Sequence, residues 1–138
     1  MTECGHKILI VAHTPRLAGA LVSWLGDSRN DLVYANSYAG GKAQLTAHPD
    51  VLITEIKLGE YNGLQLALRG QAAGIPAVVV GPNDFEHEAE QLGVTFLRSD
   101  NLQSDDVALA IDRVVEHADG RQASWSTWEA AASASVLH

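Results

Sequence analysis

At 138 residues the chain has room for one domain around a single core, since domains usually run roughly 100 to 200 residues. Its 46% apolar and 19% charged residues are ordinary for a globular protein, and no apolar run of about 18 residues suggests a membrane span. A net charge of −8 works against broad contact with nucleic acid, which needs a basic surface to displace counterions.

In chain order, Cys4 comes first. As the only cysteine it can form no intramolecular disulfide, and its simplest setting is a reducing cytoplasm. Lys7 then leads straight into an aliphatic run, without the charged head and apolar helix of a secretory signal. Five short strands are predicted over Lys7 to Ala12, Leu32 to Ala35, Val51 to Thr54, Ala77 to Val80 and Val94 to Leu97. The unbroken ILIV and VVV runs suit central strands of a parallel sheet covered on both faces.

Helical patterns separate the strands. Pro15 opens the first at its N1 position, with Leu17, Leu21, Trp24 and Leu25 on one face. A second, Tyr38 to His48, is weakened by Gly40 and Gly41. Leu64, Leu66, Ala67 and Leu68 mark the third, and Phe85 to Leu92 a short acidic fourth. In the fifth, Val107, Ile111, Val114, Val115 and Ala118 form a stripe, with Ser104, Asp105 and Asp106 at its positive end and Gly120 beyond its stop.

The alternation predicts a (βα)5 domain over residues 1–120: an α/β three-layer sandwich whose doubly wound sheet has five parallel strands. Functional groups in such sheets gather at the carboxyl ends of the strands. Residues 121–138 form a tail, where Ser126 or Thr127 can cap an alanine-rich helix that reaches Leu137. The tail is read as a helix or as a linker to an output domain. Its Trp125 and Trp128 are candidates for an anchoring contact.

The segment Asp50 to Leu64 (DVLITEIKLGEYNGL) delivers one carboxylate, Glu55, from a buried strand to a turn closed by Gly63. With the ILIV strand and Ala12-His13-Thr14-Pro15 after it, this segment resembles the phosphoacceptor strand and loop of bacterial two-component response-regulator receiver domains. The resemblance spans roughly Lys7 to Ala118 and implies a flavodoxin-like fold. Glu55 then stands at the phosphoacceptor aspartate, and Gly63 matches the glycine eight residues later. Ala12 and His13 replace the acidic pair that holds magnesium. Gly81 replaces the threonine or serine that contacts the phosphoryl group. Phe96 takes the aromatic switch position, and Ser99 or Arg98 the lysine position.

These departures imply a degenerate receiver, or pseudo-receiver. Magnesium prefers an octahedral set of hard oxygens, and phosphoryl transfer needs metal and cation to neutralise developing charge. Two accounts of Glu55 stand: its carboxylate imitates a phosphorylated aspartate, or it pairs structurally with Arg98, Lys57 or protonated His13. No convergent ligand set surrounds His13, and His6, His48, His87, His117 and His138 lack motif spacing, so neither metal nor cofactor is expected. Asp84, Glu86, Glu88 and Glu90 read as a solvated helix face.

The expected function is a cytoplasmic, phosphorylation-independent signalling and interaction module, not an enzyme, either as the N-terminal part of a transcriptional or other multidomain regulator or as a stand-alone adaptor. By resemblance its protein partner or second copy docks on the fourth-helix, fifth-strand and fifth-helix face, or on the tail. No direct nucleic-acid or membrane contact is expected. The alternative is a small-ligand or metal sensor, in which the side chains missing at Ala12 and Gly81 leave space in the former phosphorylation pocket.

Overall fold

A computed structural model of the protein describes residues 6–26, 30–59 and 63–116. The elements are β1 (Lys7–Val11), α1 (Pro15–Gly26), β2 (Asp31–Ala35), α2 (Tyr38–Gln44), β3 (Val51–Glu55), α3 (Gly63–Ala72), β4 (Ala77–Gly81), α4 (Glu86–Gln91), β5 (Thr95–Arg98) and α5 (residues 104–116). Cys4, the tail with its two tryptophans, and the predicted helix stop at Gly120 lie outside the described residues. No helix among the described residues is long and apolar enough to cross a membrane.

All five strands pair in parallel, in the order β2-β1-β3-β4-β5. The predicted α/β flavodoxin-like sandwich is therefore present. Alternation along each strand divides the core between two faces. Leu9 and Val11 of β1 pack with Leu52, Leu66 and Val79 on the side of α2, α3 and α4. Ile8 and Ile10 pack with Leu21, Ile53, Val80 and Ile111 on the side of α1 and α5. Each such side chain contributes roughly 1.5 to 3 kcal/mol on burial, which explains why strands buried on both faces read as unbroken aliphatic runs. Trp24 is half-buried against the second cluster.

Two predicted helices are shorter than expected. The second ends at Gln44 and continues as a 3-10 turn, Leu45–Ala47, stopped by His48 in the left-handed region at φ 53°. Its glycines reflect packing: a Cβ on Gly41 would lie 2.8 Å from Val11 Cγ2 and 2.9 Å from Leu66 Cδ2, so α2 approaches β1 and α3 through a bare backbone. The fourth begins as a 3-10 turn, Asn83–Phe85, and has only six α-helical residues. The fifth starts where predicted: the Asp106 carboxylate accepts from the Gln103 N–H at 3.0 Å and ties the first turn to its cap.

Gly63 makes the tightest approach. A Cβ there would lie 2.1 Å from the Glu55 carbonyl oxygen and 2.6 Å from Ile56 Cα, while the Gly63 N–H donates to Ile56 O at 2.9 Å. The start of α3 is thereby seated on the end of β3, which fixes where Glu55 emerges. Gly19, exposed in α1, has nothing within 4 Å of its would-be Cβ. Opposite outcomes follow for one methyl group. Gly63→Ala is expected to lower unfolding stability by about 3 kcal/mol through overpacking, and Gly19→Ala to raise it by about 1 kcal/mol through helix propensity. Urea unfolding of the two variants beside the parent chain checks both signs.

Candidate functional site

The order β2-β1-β3 puts the topological switch point between β1 and β3, where a crevice opens at the strand ends. Val11 of β1 lies beside Thr54 of β3, so Glu55 is the first β3 residue past the pairing with β1. Its half-buried side chain crosses that crevice. Oε1 accepts from the backbone N–H of both His13 and Thr14, each at 2.9 Å, and Oε2 accepts from the Thr14 hydroxyl at 2.6 Å.

The helix behind these donors explains the arrangement. The Thr14 carbonyl accepts the first α1 bond, from Ala18 N–H at 2.9 Å, which places Thr14 at the N-cap. No acidic residue occupies the first turn of α1. The charge that usually complements a helix N-terminus comes here from another strand, through charge-assisted bonds to two amides and a hydroxyl. Of the structural partners that one of the two accounts offered for Glu55, Arg98 and the His13 ring are not the ones it takes. His13 contributes its backbone, and Arg98 turns to α4, where Nη2 and Nε lie 3.0 and 3.2 Å from Glu86 Oε1.

Each remaining predicted site residue has a definite place. Ala12 is fully buried, its N–H donates to Ala35 O at 3.1 Å, and its carbonyl accepts from the Tyr34 hydroxyl at 2.9 Å. Gly81 ends β4 opposite Arg98, and the exposed Ser99 donates its N–H to Gly81 O at 2.8 Å. Phe96 is half-buried in the cluster on the α4 side, with Cε1 3.6 Å from where a Gly81 Cβ would sit.

The space expected at Gly81 is not there. Ile56, 1% exposed, lies over it, with Cγ2 2.5 Å and Cβ 3.0 Å from that would-be Cβ. A side chain added at Gly81 would therefore need Ile56, one residue after Glu55, to move. A magnesium ion of the receiver type does not fit the residues present either. Ala12 offers no side-chain ligand, both Glu55 oxygens are already engaged, and among the described residues no group of three His, Cys, Asp or Glu able to hold a metal ion occurs.

Sequence reasoning missed three participants: Thr14, Tyr34 and Ile56. Thr14 carried a usable signal, because threonine directly before a proline at N1 marks an N-cap. Ile56 and Tyr34 carried none, since their roles depend on contacts between separate strands.

No family model and no curated protein matches the chain. Solved structures do. NtrX from Brucella abortus superposes with a TM-score of 0.77 at 20% identity, over 90% of this chain and 30% of that one. A response regulator receiver domain protein from Clostridium thermocellum gives 0.70 at 20% identity, over 80% and 94%. The adenylate cyclase from Rhodopirellula baltica gives 0.77 at 16%, over 91% and 98%. The chain therefore has the fold found in response-regulator receiver domains, and it spans about a third of NtrX.

Thr14 and Glu55 are expected to be energetically coupled. In a double-mutant cycle of Thr14→Val and Glu55→Gln, the coupling should be about 1 kcal/mol. Either change should also speed hydrogen exchange at the His13 and Thr14 amides. Urea unfolding and amide exchange by NMR measure the two effects.

Proposed function

We propose that the chain is a signalling module that regulates its target by protein contact and does not use phosphate uptake at Glu55 as its input. The observation that carries this reading is the engagement of both Glu55 oxygens by His13 and Thr14. At the position matching the phosphoacceptor, the Glu55 carboxylate serves as a cross-link between β3 and the start of α1.

The chemistry around it supports the same reading. Phosphoryl transfer onto a carboxylate needs charge neutralisation by metal and cation. Here Ala12 supplies no ligand, Ser99 supplies no charge, and Arg98 is held by Glu86. Glutamate also sets its oxygens about 1 Å further out than aspartate, a misplacement that can cost roughly 100-fold in rate. Ile56 covers the place where a threonine or serine would follow the phosphoryl group. As a phosphoaspartate mimic, Glu55 would need its carboxylate to act on β4, and instead it acts on α1.

A receiver-like fold alone does not assign function. The signalling role rests on the fold together with the site, and the module's place in a longer regulator, including a transcriptional one, is part of the proposal. Its contact surface is the α4-β5-α5 face; the tail, the other expected surface, lies outside the described residues.

Incubation with acetyl phosphate and magnesium is expected to leave the intact mass unchanged. A phosphoryl adduct on the parent chain that disappears in Glu55→Gln would overturn the proposal.

A further inference from the structure

The chain's negative charge is concentrated. From Asp84 to Asp106 it carries seven carboxylates against one cation, Arg98. The same stretch encloses a groove of about 360 Å³ between the start of α4, the end of β5 and the start of α5. Half-buried Phe96, Leu97 and Leu102 supply its apolar lining, and Glu86, Asp100 and Asp106 line it with Arg98. The one positive charge is already matched, because the Arg98 guanidinium is bound to Glu86 at 3.0 Å.

This distribution separates the candidate occupants. A symmetric pair of identical chains would turn the acidic lining onto itself across a two-fold axis, with no free cation in the groove to offset the repulsion. Residues 117–138 hold a single Lys or Arg, Arg121, beside Asp119 and Glu129, so this chain's own tail lacks the opposite charge. We infer that the groove receives a basic, amphipathic segment of another protein, which sets an apolar side chain on Phe96, Leu97 and Leu102 and lays Lys or Arg along Asp100 and its neighbouring carboxylates. The inference rests on the reading that the module works by protein contact, and it adds the chemistry of the partner. Complementary charge would speed the encounter and fix the orientation, while the apolar contact would hold the complex.

The test uses the full 138-residue chain. A synthetic amphipathic helix of leucine and lysine, and its twin with glutamate for lysine, are titrated while amide shifts are followed by NMR. The lysine peptide should perturb residues 96–102 and the first turn of α5, weaken with added salt, and lose roughly fivefold in affinity on Asp100→Lys. Asp31→Lys makes the same change in net charge at the opposite edge of the sheet and should leave affinity unchanged. Equal weakening by both variants, or shifts spread over other acidic surface, would mean that only net charge attracts the peptide and would sink the inference. Sedimentation that reveals a dimer whose interface maps to the groove would also sink it. Acetyl phosphate treatment in parallel keeps the two proposals apart. Phosphorylation of Glu55 with groove binding intact rejects only the phosphate-independent reading, and no phosphorylation with no localised binding rejects only the groove.

Discussion

The bridge from Glu55 to the start of α1 spans the one place in the sheet where the chain reverses its order of strands. Neighbouring strands elsewhere are joined by backbone ladders, but beyond Val11 and Thr54 the paired register of β1 and β3 ends and the crevice opens. A carboxylate with donors on two of its sides closes that gap from within the protein. The position of Glu55 follows from the bare backbone of Gly63, which lets α3 sit on the end of β3 and aims the strand's last residue toward α1. Glycine, glutamate and threonine, distant in sequence, thus form one mechanical unit.

Most of the scaffold was legible because a parallel sheet covered on both faces leaves a coarse signature. Aliphatic runs in β1 and β4 and the stripe of α5 needed no tertiary knowledge, and the predicted bounds of β1 and β4 and the start of α5 differ from the structure by a residue or so. Helix α2 was harder to read, because propensity counts Gly41 against a helix whereas packing against Val11 and Leu66 requires it. The brevity of α4 was hidden for a similar reason: a 3-10 turn and an α-helix share apolar and acidic patterns over so few residues.

At the site, sequence located the residues and misjudged their partners. Strand-end positions follow from counting along β1, β3, β4 and β5, so Ala12, Glu55, Gly81 and Ser99 all reach the same edge. Partner choice depends on side-chain direction. Even and odd positions of β5 face opposite sides, which turns Arg98 to α4 and away from Glu55. The donors that Glu55 finds instead are backbone amides, present at every residue and therefore invisible to a search for complementary side chains.

The contact between Ile56 and Gly81 couples what each of the two positions can hold. A threonine introduced at 81 would collide with the isoleucine, and a small residue introduced at 56 alone would open a cavity costing roughly 2 to 5 kcal/mol. Each change is unfavourable until the other has occurred, a case of reciprocal epistasis. Mutational routes that place a hydroxyl at this strand end must cross a less stable intermediate, so the methyl group over Gly81 resists stepwise change at either position.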